Sequence, residues 1–107
     1  MFINDDSRRI LIEWISNEPF CSAKAVVAKT SALIGNHYHR EKNEKFLLLA
    51  GKAKRVVIGD VERVNILAPE VFDVPKGTHH SFELEPDSIL LGVADKPHDT
   101  NDEIRSS

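Results

Sequence analysis

The chain has 107 residues, is 41% hydrophobic and carries a formal net charge of −3, which suits one domain with one core. No long basic run is present, which argues against nucleic acid as a partner, and no apolar run approaches the roughly 20 residues of a membrane-spanning helix. The first residues show no signal-peptide pattern. Cys21 is the only cysteine, which excludes an internal disulfide, and it is predicted to be a small buried residue. We therefore expect a cytoplasmic protein without a nucleic-acid or membrane partner.

Residues 1–20 are interpreted as an N-terminal extension of the domain. The stretch Arg8–Ser16 is rich in isoleucine and contains Trp14, which favours a strand over a helix. Trp14 and Phe20 are either ordinary core residues or part of a dimer interface. The next segment, 22–30, alternates like a strand from residue 25 on, and Ser31–Asn36 is predicted to be a loop.

The middle of the chain is a succession of short apolar runs separated by turn residues. The predicted strands are Phe46–Ala50, Lys52–Ile58, Val61–Leu67, Val71–Val74, His79–Leu84 and Ser88–Ala94. Gly59-Asp60 is a two-residue hairpin signal. Residues 96–107 are polar and are expected to form a loose tail or a short helical turn. Many short strands without a normal-length helix predict an all-β sandwich or small barrel, and no linker divides the chain, so residues 1–107 are one domain.

The stretch from Gly35 to Gly51 holds the first candidate site residues. Side chains two apart in an extended backbone point to the same face, so His37 and His39 can aim two imidazoles at one point. Glu44 opens the apolar run that follows, where an unpaired carboxylate at the edge of the core is costly. A bound metal ion would remove that cost.

A second stretch supplies a third imidazole. Pro75 and Gly77 predict a tight turn, and His80 follows it at the start of an alternating segment. If this strand returns beside the first stretch, three histidines and one glutamate form a ligand set that suits Zn, Fe, Ni or Mn. The neighbouring His79 would point to the opposite face, and it is the rival to His80. Glu41 is the rival to Glu44, although its charged surroundings indicate a solvated side chain.

These spacings resemble the cupin family. Its first motif is His-x-His, four intervening residues, Glu, six intervening residues and Gly, which His37, His39, Glu44 and Gly51 match. Its second motif is Pro-x-Gly-x-x-His, which Pro75, Gly77 and His80 match. The sequence departs from the family pattern at three positions: Gly35 is closer to the first histidine than the usual glycine, Pro69 replaces a glycine, and Leu84 replaces an asparagine. These departures affect turn geometry and the end of the second motif, and the four ligand positions are unchanged. The resemblance, over residues 20–95, implies a cupin-type small β-barrel (double-stranded β-helix, jelly-roll), with the metal ligands His37, His39, Glu44 and His80.

A finer resemblance involves the residues around the first motif, Gly35–His39, Lys42–Phe46 and Gly51–Ala53. They are similar to cupin domains of surface-polysaccharide biosynthesis and to sugar-nucleotide epimerases and ketoisomerases. This likeness implies a metal-binding isomerase or epimerase acting on a keto-sugar nucleotide. It also implies a homodimer that uses the N-terminal strand. An anionic substrate of this kind requires cations near the barrel mouth, for which the candidates are Arg40, Lys42, Lys45 and Arg55.

Other interpretations stay open at this point. The same four residues would also suit a metal-free, histidine-lined pocket in which an imidazole is the base. A metal-dependent dioxygenase-type cupin, or a non-catalytic module that binds a metal or a small molecule, would have the same motifs, because fold-level likeness does not establish function. Tyr38, between the two histidines, is expected to point away from the metal, and His98 in the tail is interpreted as a plain surface residue.

Overall fold

The computed structural model describes residues 1–97 and 99–105, and its regular structure is antiparallel β with one short 3-10 turn. In chain order the elements are β1 (Phe2–Asp5), β2 (Ile10–Glu13), β3 (Ser22–Val27), β4 (Ala32–His39), β5 (Glu44–Ala50), β6 (Lys52–Ile58), β7 (Val61–Leu67), β8 (Glu70–Val74), β9 (His80–Leu84), β10 (Ile89–Ala94), the 3-10 turn Thr100–Asp102 and β11 (Glu103–Arg105). The all-β prediction is confirmed. The hairpin of β6 and β7 has the predicted bounds.

Two main sheets enclose the core. One has the strand order β3-β10-β5-β8 and the other β11-β4-β9-β6-β7, while β1 and β2 form a separate hairpin. The sheets do not join into a closed barrel, but non-consecutive strands are neighbours in both of them, as in the predicted jelly-roll. Phe46 of β5 and Phe82 of β9 are fully buried with ring centroids 4.8 Å apart, so the core lies between the sheets.

The prediction of a loop over Ser31–Asn36 is wrong, because β4 runs through this segment. Gly35 and Asn36 have φ values of +88° and +62°, and the pairing with β9 shifts between Gly35 and His37. This is a β-bulge, in which one extra residue is inserted into a continuing strand. The glycine and asparagine that suggested a break in the chain therefore mark a bulge inside a strand.

The prediction of a loose C-terminal tail is wrong in part. The short helical turn exists over Thr100–Asp102, but β11 then pairs with β4 at the edge of the five-stranded sheet. This strand is only three residues long, and its sequence has no apolar alternation by which it would be recognised. His98, interpreted as a surface residue, lies outside the described residues.

The N-terminal segment contains two strands where one was predicted, and β2 is shorter than the predicted Arg8–Ser16. Trp14 and Phe20 are half-buried, so neither belongs to the fully buried core. Cys21 is exposed, which contradicts the prediction that it is buried. Within the described part of the chain, no helix has the length and apolar character needed to cross a membrane.

Candidate metal centre

Four buried side chains meet at one end of the core between the two sheets. They are His37 and His39 of β4, Glu44 of β5 and His80 of β9, and each offers one ligand atom within 4.8 Å of the other three. Alternation in β4 places both of its histidines on the inner face, as predicted, and leaves Tyr38 half-buried on the other. The structure thus brings together all four predicted site residues.

The β-bulge in β4 brings two of the imidazoles together. It places His37 directly opposite His80 in the sheet, and their ring centroids are 4.6 Å apart. Gly35 allows this close approach, because a Cβ atom at that position would lie 2.9 Å from the carbonyl oxygen of His80. Bulges of this kind re-aim side chains toward functional sites.

Glu44 connects the histidines to a lysine. Its Oε1 lies 3.2 Å from Nε2 of His39 and 3.6 Å from Nε2 of His80. Its Oε2 lies 3.6 Å from Nζ of Lys24 on β3. One oxygen of the carboxylate therefore faces the imidazoles and the other faces a cation.

Burial determines the protonation of this cluster. Loss of solvation lowers the pKa of His80 to about 3 and the pKa of His39 to about 4, and it also lowers the pKa of His37. The same cause raises the pKa of Glu44, although Lys24 and Lys42 oppose it. The three imidazoles are consequently neutral at pH 7, and each has a lone pair that can bind a metal.

The donor set fits a divalent transition metal. Among the described residues, both ring nitrogens of His37 and His39 and the Oε1 atom of Glu44 are buried without a hydrogen-bond partner. Buried polar atoms normally have partners, and a bound metal ion would supply them to both Nε2 atoms and to the Glu44 oxygen. Neutral imidazoles with one carboxylate suit Zn, Fe, Ni or Mn.

Carboxylates that the sequence analysis missed lie behind two of the imidazoles. The Nδ1 atom of His37 is 2.6 Å from Oε1 of Glu103, a close contact that is not aligned as a hydrogen bond, and Nδ1 of His39 is 3.7 Å from Oδ2 of Asp102. Both residues belong to the segment that was expected to be a loose tail. The acidic character of that segment was visible, but nothing in its sequence indicated pairing with β4.

The rival residues are not part of the cluster. His79 is half-buried, and its Nε2 atom lies 3.2 Å from Oδ1 of Asn36. Glu41 is exposed, as predicted for a solvated side chain. The motif spacing predicted His80 and Glu44 in preference to His79 and Glu41, and the same two residues belong to the cluster in the structure.

A small cavity adjoins Glu44 and contains two lysines. Its volume is about 110 Å³, and its lining includes Lys24, Lys42, Glu44 and Gly92. Lys42, one of the cations predicted near the barrel mouth, is only 6% exposed. Lys24 was not among the predicted cations because it lies in a strand remote from both motifs.

The other predicted cations are placed differently. The Nζ atom of Lys45 lies 2.7 Å from Oε1 of Glu18, and Arg55 pairs with Glu62 at 2.9 Å. Arg40 is exposed. Of the four cations that were predicted near the barrel mouth, Lys42 is the one that lines the cavity beside Glu44.

Comparison with solved structures gives two kinds of relatives. The capsular polysaccharide assembling protein CapF from Staphylococcus aureus is 26% identical, with a TM-score of 0.68 over 97% of this chain and 33% of that protein. ChmJ, a 3'-monoepimerase from Streptomyces bikiniensis solved with dTDP-quinovose, has a TM-score of 0.84 at 18% identity over 97% of this chain and 65% of that one. A 3,4-ketoisomerase from Helicobacter canadensis has a TM-score of 0.77 at 19% identity, covering 98% and 86%. At these identities the two enzymes confirm the cupin fold.

No curated protein sequence matches the chain significantly. The chain spans about one third of the length of the CapF protein that it matches. The family described as "Polysaccharide biosynthesis C-terminal domain" matches residues 4–91, which is most of the chain. The fold, the two motifs and this match agree, and the chain belongs to the family of polysaccharide biosynthesis C-terminal domains, with a cupin fold.

Proposed function

We propose that His37, His39, Glu44 and His80 hold a divalent transition metal, in an isomerase or epimerase that acts on a keto-sugar nucleotide of surface-polysaccharide biosynthesis. The observation that carries the proposal is the convergence of four buried side chains, three of which have buried polar atoms without a hydrogen-bond partner. The family assignment and the similarity to CapF support the biosynthetic role. The fold shared with a sugar epimerase and a ketoisomerase supports the reaction class.

The chemistry of the site follows from its own residues. A metal held there would supply Lewis-acid polarisation of a substrate carbonyl, which acidifies the adjacent C–H bond. The imidazoles bind through neutral nitrogens, because burial keeps them unprotonated. Lys24 holds the outer oxygen of Glu44 at 3.6 Å and thereby orients the carboxylate.

The lysines give the neighbouring cavity a positive character. Lys24 and Lys42 line it directly beside Glu44, so a substrate oxygen that gains negative charge there would be stabilised. A whole sugar nucleotide is far larger than this cavity of about 110 Å³, so we place only the reacting part of the sugar beside Glu44.

A metal-free version of the same reaction is the second candidate. It is supported by the 2.6 Å contact between Nδ1 of His37 and the carboxylate of Glu103, since a carboxylate behind a neutral imidazole strengthens it as a base. In this version the imidazole removes the substrate proton and returns it to another position. Metal content distinguishes the two versions.

The proposal is tested by metal analysis of untagged protein purified without added metal, beside a His37→Ala/His80→Ala variant. Near-stoichiometric metal that is lost in the variant is expected. Exchange of substrate C–H protons with deuterated water, measured by NMR on keto-sugar nucleotides, then tests the reaction class. A wild-type protein that contains no metal, and binds none of Zn, Fe, Ni or Mn when they are added, would overturn the metal centre and favour the imidazole base.

We also propose a homodimer formed through the N-terminal hairpin. The hairpin and the residue before it expose five large apolar side chains, each between 41% and 60% exposed: Met1, Phe2, Ile3, Ile10 and Leu11. Exposed apolar side chains of this kind mark interaction surfaces, and the strand register places Ile3 and Ile10 on one face of the hairpin and Phe2 and Leu11 on the other. A cytoplasmic location remains a prediction from the sequence.

A further inference from the structure

The outer side of the histidine cluster is covered by the C-terminal segment. Strand β11 pairs antiparallel with β4, with Glu103 opposite His39 and Arg105 opposite His37. The side chain of Glu103 reaches diagonally to His37, which is a distance that long side chains span between paired strands. The segment thus contributes side chains to the histidine site as well as backbone pairing.

Glu103 is held in place by a second contact. Its Oε1 lies 2.6 Å from Nδ1 of His37, and the same oxygen lies 3.0 Å from Nη2 of Arg105. Arg105 in turn donates from Nη1 to the carbonyl oxygen of Gly35 at 3.0 Å. Arg105 therefore links Glu103 to the bulge that positions His37.

Asp102 is fixed by the loop between β4 and β5. Its Oδ1 accepts a hydrogen bond from the backbone N–H of Glu41 at 2.7 Å, and its carbonyl oxygen accepts one from the N–H of Arg40 at 3.1 Å. Its other oxygen, Oδ2, lies 3.7 Å from Nδ1 of His39. Only 9% of Asp102 is exposed, so this carboxylate faces the histidine with little competition from water.

Each of the three imidazoles has an acceptor oxygen near its Nδ1 atom. His80 has its Nδ1 atom 3.4 Å from the carbonyl oxygen of Thr78, while its Nε2 atom faces Glu44. His39 likewise directs Nε2 to Glu44 and Nδ1 to Asp102. In His37 the contact of Nδ1 with Glu103 leaves Nε2 as the free nitrogen. An acceptor behind Nδ1 favours the tautomer that has its lone pair on Nε2.

We propose that Asp102 and Glu103 are positioning residues that hold His39 and His37 with their Nε2 lone pairs presented to the metal. The inference rests on the proposed metal centre, and it adds that strand β11 is required for tight metal binding. Neither carboxylate is proposed to bind the metal itself.

The test measures Zn²⁺ affinity by competition with a chromophoric chelator. Glu103→Ala and Asp102→Ala are each expected to weaken binding about 10- to 100-fold, the usual effect of removing an outer partner of a metal-binding histidine. Glu103→Gln keeps an acceptor oxygen and is expected to restore part of the affinity. Glu41→Ala, which removes an exposed carboxylate from the same loop, is the matched control and is expected to bind like wild type.

Two further measurements separate positioning from folding. Thermal unfolding of the metal-free variants shows whether each one folds, and Arg105→Gln loosens Glu103 without altering any histidine or carboxylate of the cluster. Arg105→Gln is expected to weaken Zn²⁺ binding less than Glu103→Ala does. The visible spectrum of bound Co²⁺, which reports ligand geometry, is expected to change in Glu103→Ala and to stay unchanged in Glu41→Ala.

The possible outcomes are distinct. Folded Glu103→Ala and Asp102→Ala variants that bind Zn²⁺ as tightly as wild type would overturn this inference and leave the metal centre standing. A wild-type protein without Zn²⁺ affinity would overturn the metal centre itself. If Asp102→Ala does not fold, because it loses the hydrogen bond to Glu41, the two Glu103 variants and Arg105→Gln decide the question.

Discussion

The Nε2 atom of His39 lies 3.2 Å from the Oε1 atom of Glu44, and these buried side chains come from opposite sheets of the sandwich. Only residues 40–43 separate them in sequence, so the loop that joins the two sheets also sets this distance. A buried carboxylate beside neutral imidazoles lacks a compensating charge on that side. The arrangement is costly for the protein alone and favourable with a cation in place.

A metal that binds the folded state alone must raise its stability. At a free concentration 100 times the dissociation constant, the gain is about 2.7 kcal/mol, which corresponds to roughly 10–20 °C in the unfolding temperature of a domain of this size. We expect Zn²⁺ to produce such a shift in the wild type and a much smaller one in Glu44→Gln, measured by scanning calorimetry. Glu83→Gln, in which the changed carboxylate pairs with Arg55 at 3.8 Å, is the control. Equal shifts in wild type and Glu44→Gln would contradict the role of Glu44.

Acid is expected to destabilise the metal-free protein between about pH 6.5 and pH 4. Unfolded imidazoles take up protons below their ordinary pKa of 6.5, whereas the folded His39 does so only at about 4 and His80 at about 3. The unfolded state therefore binds more protons in this window, and stability falls as the pH falls. Glu44 acts in the opposite direction, because burial raises its pKa and the folded state therefore takes up this proton before the unfolded state does. The effect of the three imidazoles is expected to outweigh that of this single carboxyl group.

The measurement for this prediction is the unfolding temperature of chelator-treated protein across that pH range. We expect a drop of at least about 4 °C, the shift that about 1 kcal/mol produces in such a domain. His80→Asn is expected to flatten the dependence. His79→Asn, which changes a half-buried histidine outside the cluster, is expected to keep it. A flat wild-type profile would be incompatible with the buried neutral imidazoles.

The glycine of the first motif is required by packing as well as by backbone conformation. Gly51 has φ +83°, and a Cβ atom there would overlap Oγ of Ser88, which accepts a hydrogen bond from the N–H of Lys52 and donates one to its C=O. Gly77 has φ +77° with open space around it. We expect Gly77→Ala to lower the free energy of unfolding by about 1–2 kcal/mol, and Gly51→Ala to lower it by a further 1–3 kcal/mol or so, because of the clash. Denaturant unfolding checks this, and equal losses would show that Ser88 can move aside.

Light scattering with size exclusion tests the proposed dimer. The wild type is expected to have about twice the 12.0 kDa mass of one chain. Ile3→Asp/Ile10→Asp places charges on one face of the hairpin and is expected to give monomers. Val64→Asp, at a side chain that is 58% exposed on β7, is the control. A monomeric wild type would refute the dimer, and monomers only with Val64→Asp would move the interface to β7.

The sequence by itself determined the sheet class and the four central residues. Period-two alternation places side chains two residues apart on the same face of a strand, so the sequence alone predicts that His37 and His39 share one face. The spacing of Glu44 and His80 from the turn residues around them identified their place in the site. These features depend on local geometry and on a motif, and both can be read from neighbouring residues.

Only the tertiary structure decided what surrounds the cluster. Asp102 and Glu103 reach the histidines because β11 pairs with β4, a contact between segments more than sixty residues apart that no local pattern encodes. Lys24 became a neighbour of Glu44 because β3 and β5 both pair with β10. Long-range strand pairing depends on the whole core, and a short polar strand such as β11 gives no hydrophobic signal of its own. The sequence therefore specified the candidate metal ligands, and the fold specified the groups that orient them.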